Sequence, residues 1–294
     1  MTLTEWKYPE AVVETDWLAN HLEDGDIRIF DCTTYLHYMD DDPSQPYIVE
    51  SGRADYEGGH IAGAAFLDLQ GELSKPDSPY RFTMPTYDDL AGRFGKKGVG
   101  DGIRVILYSR VGMQWATRVW WMLRSVGFDN AAILNGGWEK WDSEGRPIET
   151  GRRDYPEVSF VAAPRPELFV GKKEVFAAIG DAGVCNLNAL SADIHSGENP
   201  RYGRRGRIPG SVNVPAVFLF NTVDKTFLPL NDIQATFDLV GAHRDQRIIN
   251  YCGGGIAATL DAFLLYQLGY ENLTVYDDSM SQWATDETLP IEID

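Results

Sequence analysis

Arg247-Ile248-Ile249-Asn250-Tyr251-Cys252-Gly253-Gly254-Gly255-Ile256-Ala257 is the stretch that decides the fold. Its first five residues are a short apolar, β-rich run of the kind that makes a buried strand. A glycine-rich turn follows. From Ala257 to Leu268 the sequence is helical and apolar, and it stops at Gly269, a residue suited to the positive φ just beyond a helix. A strand, a tight turn and a helix in that order make one unit of a parallel α/β sheet, with the turn at the carboxyl edge where such folds carry their chemistry.

The chain contains this unit twice. Arg104-Val105-Ile106-Leu107-Tyr108-Ser109 matches Arg247 to Cys252, and a helix from Gln114 to Val126 ends at Gly127 as its counterpart ends at Gly269. Upstream, Gly59-His60-Ile61-Ala62-Gly63-Ala64 is echoed by Gly206-Arg207-Ile208-Pro209-Gly210-Ser211. Downstream, Gly127-Phe128-Asp129-Asn130 answers Gly269-Tyr270-Glu271-Asn272, and Trp141 answers Trp283. Matched segments keep the same order, which marks a tandem duplication. The stretch from Gly145 to Pro166 has four prolines and no helical period, and reads as a linker. The expectation is α/β: an N-terminal domain over 8–145, a linker over 146–166 and a C-terminal domain over 167–294, each a parallel sheet flanked by helices. At 294 residues the chain is long enough for two such domains.

Chemistry points to Cys252. Three glycines after it remove side chains, so successive N–H groups can curl toward one point, and a helix N-terminus adds partial positive charge there. Such a cradle stabilises a thiolate and the negative charge of a terminal sulfur or oxyanion. The pattern is that of a cysteine that accepts and passes on a group. Cys32 and Cys185 lack this setting and read as structural. The first copy has Ser109 in place of the cysteine, followed by the less glycine-rich Arg110-Val111-Gly112-Met113-Gln114.

Composition narrows the partners. A net charge of −18 disfavours nucleic acid and anionic membranes. Three widely spaced cysteines and five scattered histidines form neither a disulfide framework nor a zinc site, so no metal or organic cofactor is expected. Met1 to Lys7 does not read as a signal peptide, no run approaches a membrane span, and a cytoplasmic protein is the expectation.

Together these motifs, with Arg118-Val119-Trp120-Trp121-Met122 and Leu134-Asn135-Gly136-Gly137-Trp138, resemble the two-domain rhodanese superfamily of thiosulfate and 3-mercaptopyruvate sulfurtransferases over about Val12 to Trp283. The resemblance implies a catalytically silent N-terminal domain that supplies one wall of a cleft. It implies an active-site loop of Cys252, Gly253, Gly254, Gly255, Ile256 and Ala257, with the amide of Ala258 behind it. A persulfide on Cys252 would take a sulfane sulfur from an anionic donor, thiosulfate or 3-mercaptopyruvate, and pass it to cyanide or a thiol. The phosphatases of this fold have a longer loop closed by an arginine, and Ala258 stands where that arginine would be.

Some family features are missing. Mercaptopyruvate-type loops carry hydroxyls where Gly254 and Ala257 stand, and thiosulfate-type loops carry basic residues, so groups outside this loop must do more of the work. Ile194 aligns with a family arginine and His195 with the phenylalanine beside it. Asp278-Ser279-Met280 replaces the usual Gly-Ser-Trp. Arg201 matches the arginine that holds a donor carboxylate. It opens the cluster Arg201, Arg204, Arg205 and Arg207, in which Arg201 is expected to face the cleft. His60 is a candidate polar wall residue or a histidine that satisfies backbone groups. Asp31 and Asn188 hold equivalent strand ends, where Asp31 either orients cleft loops or caps a turn. Trp115, Trp120, Trp121 and Trp138 read as packing residues. A rival reading makes the duplicated scaffold a noncatalytic or sulfur-relay module that docks a protein partner.

Overall fold

The computed structural model describes residues 5–39 and 46–294; Met1 to Thr4, part of the stretch weighed as a leader, lie outside them. Two five-stranded parallel sheets carry the fold. In the first, the order across the sheet is Val12–Val13, Ala131–Leu134, Arg104–Tyr108, Ile27–Asp31 and Ala65–Phe66; in the second it is Phe169–Val170, Leu273–Tyr276, Arg247–Tyr251, Val184–Asn188 and Val212–Asn213. The two orders are the same, with the repeated apolar strands at the centre of each. All but the first residue of each central strand are buried. Strands covered on both faces read as continuous apolar runs, which is why the sequence gives no alternation here.

The duplication extends to individual hydrogen bonds. Tyr108 Oη accepts the amide of Ile61 at 3.3 Å, and Tyr251 Oη accepts that of Ile208 at 3.3 Å. Trp141 Nε1 donates to Pro147 O at 2.9 Å, and Trp283 Nε1 to Pro290 O at 2.8 Å. Each tryptophan is buried and finds an acceptor for its N–H, as an interior indole requires.

The helices after the central strands, Gln114–Ser125 and Ala257–Gln267, pack on each other and join the domains. The Thr117 and Thr259 hydroxyls meet at 3.0 Å, Trp121 Nε1 donates to Thr259 O at 3.0 Å, and Trp120 stands edge-on to Phe263. Trp120 and Trp121 therefore pack between the domains. Trp138 is partly exposed, with the Arg110 guanidinium over its ring at 3.8 Å.

The proline-rich stretch is more ordered than its composition suggests. Ile148–Glu149 pairs antiparallel with His60–Ile61, Tyr155 Oη donates to Gly63 O at 2.6 Å, and Val158 and Ala163 donate to Gly95 O and Val126 O, each at 2.9 Å. Proline lacks an N–H but keeps its carbonyl, so such a segment can still be strapped onto an edge.

Candidate active site

Cys252 sits at the carboxyl end of the central strand of the second sheet, only 2% exposed, on the floor of a cavity of about 240 Å³ between the two domains. The loop is held from behind. Ser279 Oγ accepts the Cys252 amide at 3.0 Å and donates to Tyr276 O at 2.7 Å. The amides of Met280 and Ser281 donate to the carbonyls of Cys252 and Gly253 at 3.0 and 2.8 Å. Ser279 does this from φ 49°, an unusual conformation for a residue with a side chain.

The first domain braces the same loop. Arg118, fully buried on the helix Gln114–Ser125, donates to Gly255 O at 3.1 Å, Phe82 O at 2.8 Å and Asp277 Oδ1 at 2.6 Å. Gly255 has φ +71°, and a Cβ there would stand 2.3 Å from Asp277 O, so only glycine fits.

With its carbonyls tied down, the loop turns its amides the other way. Among the described residues, the N–H groups of Gly253, Gly254, Gly255 and Ile256 donate no hydrogen bond, although all four residues are buried. Buried unpaired backbone donors are rare, and four in a row at a helix N-terminus form an anion cradle.

The cavity walls are mainly aromatic and aliphatic. The hairpin Thr34–Tyr38 and Tyr47–Ser51 brings Leu36, Tyr38 and Tyr47 from the first domain; Phe82 and Trp115 complete that side. Tyr202, Phe220, Ile194 and Val217 come from the second. Trp115 thus lines the cleft as well as packing. Arg201 is the cation in the lining, its guanidinium 4.0 Å over the Tyr38 ring.

Other expected residues fall elsewhere. His60 does not line the cavity: it is buried, stacked on Tyr56 with Nδ1 2.8 Å from Tyr56 O, and so serves the packing of the first domain. Ile256 and Ala257 reach the cavity, whereas Ala258 is buried in the helix behind it. Arg204 spends its donors on the carbonyls of Trp283, Ala284, Asp286 and Leu289, and Arg207 pairs with Glu292 and Asp294; both anchor the C-terminal segment. Arg205 is exposed. His195 lies outside the cavity lining against Asn188 Nδ2 at 3.1 Å, and burial followed by the Arg207 charge lowers its pKa to about 4. Asp31 caps a turn by accepting from the amide and hydroxyl of Thr33, and burial raises its pKa. Burial pushes the Cys185 thiol up to about 11; burial, then the Asp31 charge, pushes Cys32 well above the usual thiol range. Both fit structural thiols.

Residues 14–144 and 191–286 match the family described as Rhodanese-like domain. The chain belongs to the rhodanese-like domain family. Its relatives include the 3-mercaptopyruvate sulfurtransferase of Escherichia coli K12, 32% identical over 95% of this chain and 97% of that one. The thiosulfate/3-mercaptopyruvate sulfurtransferase 2 of Arabidopsis thaliana is 30% identical over 96% of this chain and 86% of that one. The crystal structure of the Escherichia coli 3-mercaptopyruvate sulfurtransferase SseA superposes with a TM-score of 0.76 at 29% identity, covering 92% of this chain and 98% of that chain. YnjE, at 22% identity and a TM-score of 0.81, shares the fold over 99% of this rhodanese chain and 70% of its own. Among the described residues no helix is long and apolar enough to cross a membrane.

Sequence reasoning missed three features of this rhodanese site: the tyrosines, the brace from Arg118 and the hairpin wall. The hairpin interrupts the repeat, since among the described residues no strand lies between Val184–Asn188 and Val212–Asn213 in the second copy, and that break was a usable signal. Arg118 was another, a charge inside an otherwise buried helix that needed a partner.

Proposed function

We propose that this protein is a sulfurtransferase that carries a sulfane sulfur on Cys252, taking it from 3-mercaptopyruvate and giving it to a thiol or cyanide. The observation that carries this reading is the row of unpaired amides from Gly253 to Ile256 beside the cysteine. The Cys252 thiolate attacks the donor sulfur, a sulfur–sulfur bond forms and the donor's carbon–sulfur bond breaks. The terminal sulfur then rests against the loop amides, which meet its negative charge in a site walled mainly by aromatic and aliphatic side chains. An acceptor thiolate or cyanide attacks that outer sulfur and returns Cys252 to its thiolate.

The choice of donor rests on charge and shape. Arg201 is the cation of the cavity lining, and the other walls are aromatic, aliphatic or backbone apart from the neutral side chains of Gln114 and Ser191. One guanidinium over a tyrosine face suits a monocarboxylate better than the dianion thiosulfate. The Escherichia coli relative is named for 3-mercaptopyruvate alone, and the Arabidopsis thaliana relative for both donors. The noncatalytic rival finds no support in a cradle left open at an intact cysteine.

Arg201→Ala tests the assignment. A charged hydrogen-bonded contact contributes about 1.5–3 kcal/mol, so the KM for 3-mercaptopyruvate should rise roughly 10- to 100-fold with kcat little changed. An unchanged KM refutes the role of Arg201.

A further inference from the structure

The loop beside Cys252 has no hydroxyl of its own, and two tyrosines occupy the space its side chains leave. A Cβ on Gly254 would lie 3.1 Å from the Tyr47 hydroxyl, and a Cβ on Gly253 would lie 1.9 Å from the Tyr202 hydroxyl. The Tyr202 phenol therefore rests on the loop backbone next to the cysteine. The two tyrosines differ in what they can offer. Tyr47 is engaged by Ser281, whereas the Tyr202 hydroxyl makes no hydrogen bond among the described residues, on a ring only 6% exposed that lines the same cavity as Cys252 and Arg201. A hydroxyl without a partner, on a buried ring that lines the cavity of a reactive thiol, is an unused donor.

We propose that Tyr202 is the general acid of the donor half-reaction, delivering its phenolic proton to the keto oxygen of 3-mercaptopyruvate as the carbon–sulfur bond breaks. The proposal rests on the donor reading above. Arg201 and Tyr202 are chain neighbours. With the donor carboxylate on Arg201 and its sulfur at Cys252, the keto carbon between them passes the Tyr202 hydroxyl. The thiolate of Cys252 forms the bond to the donor sulfur, and the electrons of the broken carbon–sulfur bond move onto the keto oxygen. That oxygen takes the Tyr202 proton and leaves as the enol of pyruvate. The new Cys252 persulfide carries the donor's S–H, whose proton returns to the Tyr202 phenolate. The outcome is a persulfide anion, a neutral tyrosine and pyruvate once the enol tautomerises, with no outside oxidant or proton. Burial, then the negative charges of the neighbouring tyrosines and Cys252, raise the Tyr202 pKa well above the ordinary phenol value, so it stands protonated when the donor arrives.

Thiosulfate supplies the contrast, because its leaving group, sulfite, needs no proton. Persulfide formation on Cys252 is to be followed in single turnover with each donor for the wild type and for Tyr202→Phe. The variant removes an unbonded hydroxyl and keeps the ring. Its rate with 3-mercaptopyruvate should fall roughly 100-fold or more, while its rate with thiosulfate stays within about twofold of wild type. An equal loss with both donors would mean that Tyr202 only packs the loop, and no loss with either would mean that its proton is not used; each overturns the proposal. A wild-type protein that takes sulfur from thiosulfate but not from 3-mercaptopyruvate overturns the donor reading and this step with it.

Discussion

The turn that begins at Ser109 and the turn that begins at Cys252 follow the same strand in the two copies, yet they present their amides to opposite ends. After Ser109, the Arg110 amide donates to Thr33 Oγ1 at 3.0 Å and the Val111 amide to Glu139 Oε1 at 2.6 Å, while Ser109 Oγ donates to Gly112 O at 2.6 Å. After Cys252, the corresponding amides of Gly253 and Gly254 donate to nothing among the described residues. The first cradle holds the protein's own carboxylate, in the manner of a bound anion, and the second is open. The missing cysteine is thus one difference between the copies; a filled cradle is the other. The first copy has a task of its own, since its Arg118 fixes the carbonyl side of the open loop.

The largest effect is expected where one copy supports the other. Arg118→Met leaves Asp277 without its 2.6 Å partner and two carbonyls without donors. Breaking such a buried pair costs about 3–5 kcal/mol, to be read as a lower denaturant midpoint, together with loss of sulfur transfer. Retention of both would show that the open loop stands without the first domain.

Asp261 offers a sharper look at the helix behind the open loop. Its carboxyl is fully buried there without a hydrogen-bond partner among the described residues, and burial raises its pKa well above the ordinary value. A carboxyl whose folded pKa exceeds its unfolded one favours the fold most below the unfolded value, near pH ~4, and that stability is lost as pH rises toward the folded value. Asp261→Asn should therefore raise the melting temperature at pH 7–8, with the gain shrinking as the pH approaches ~4. A gain that does not vary with pH would refute the protonated carboxyl.

Ser109→Cys should change least. It restores the missing sulfur to the first copy, but Thr33 and Glu139 still hold the amides. We expect no persulfide at position 109 after donor treatment and unchanged turnover at Cys252. Sulfur on the new cysteine would show that the open cradle is not what separates the copies.

How far the sequence reaches follows the same division. Strand, turn and helix were legible at Arg247–Ala257 because their signals are local: an apolar run, three glycines and an apolar helix. The twin order of the two sheets was legible because each segment recurs in place. The contents of the two cradles were not, since Glu139 lies 28 positions from Val111 and Thr33 lies 77 from Arg110. Tyr202 was hidden similarly, 50 positions before Cys252 in a segment whose arginines drew attention. Of those arginines, Arg204 and Arg207 are bound to the C-terminal segment, a partner that only the folded chain brings near. Only as a wall residue was His60 misplaced, for a related reason: its motif marks a strand entrance, where it meets the Tyr56 carbonyl, and the cleft is built across the other domain's turn.

The central claim is that an open ring of amides lets one cysteine carry sulfur. Intact-protein and peptide mass spectrometry after treatment with 3-mercaptopyruvate, before an acceptor is added, tests it most directly. The account predicts a gain of one sulfur atom on the Cys252 peptide, none on Cys32 or Cys185, none in Cys252→Ser, and discharge by cyanide. Protein that turns over 3-mercaptopyruvate with no sulfur ever found on Cys252, or that carries it equally on the buried thiols, would contradict it.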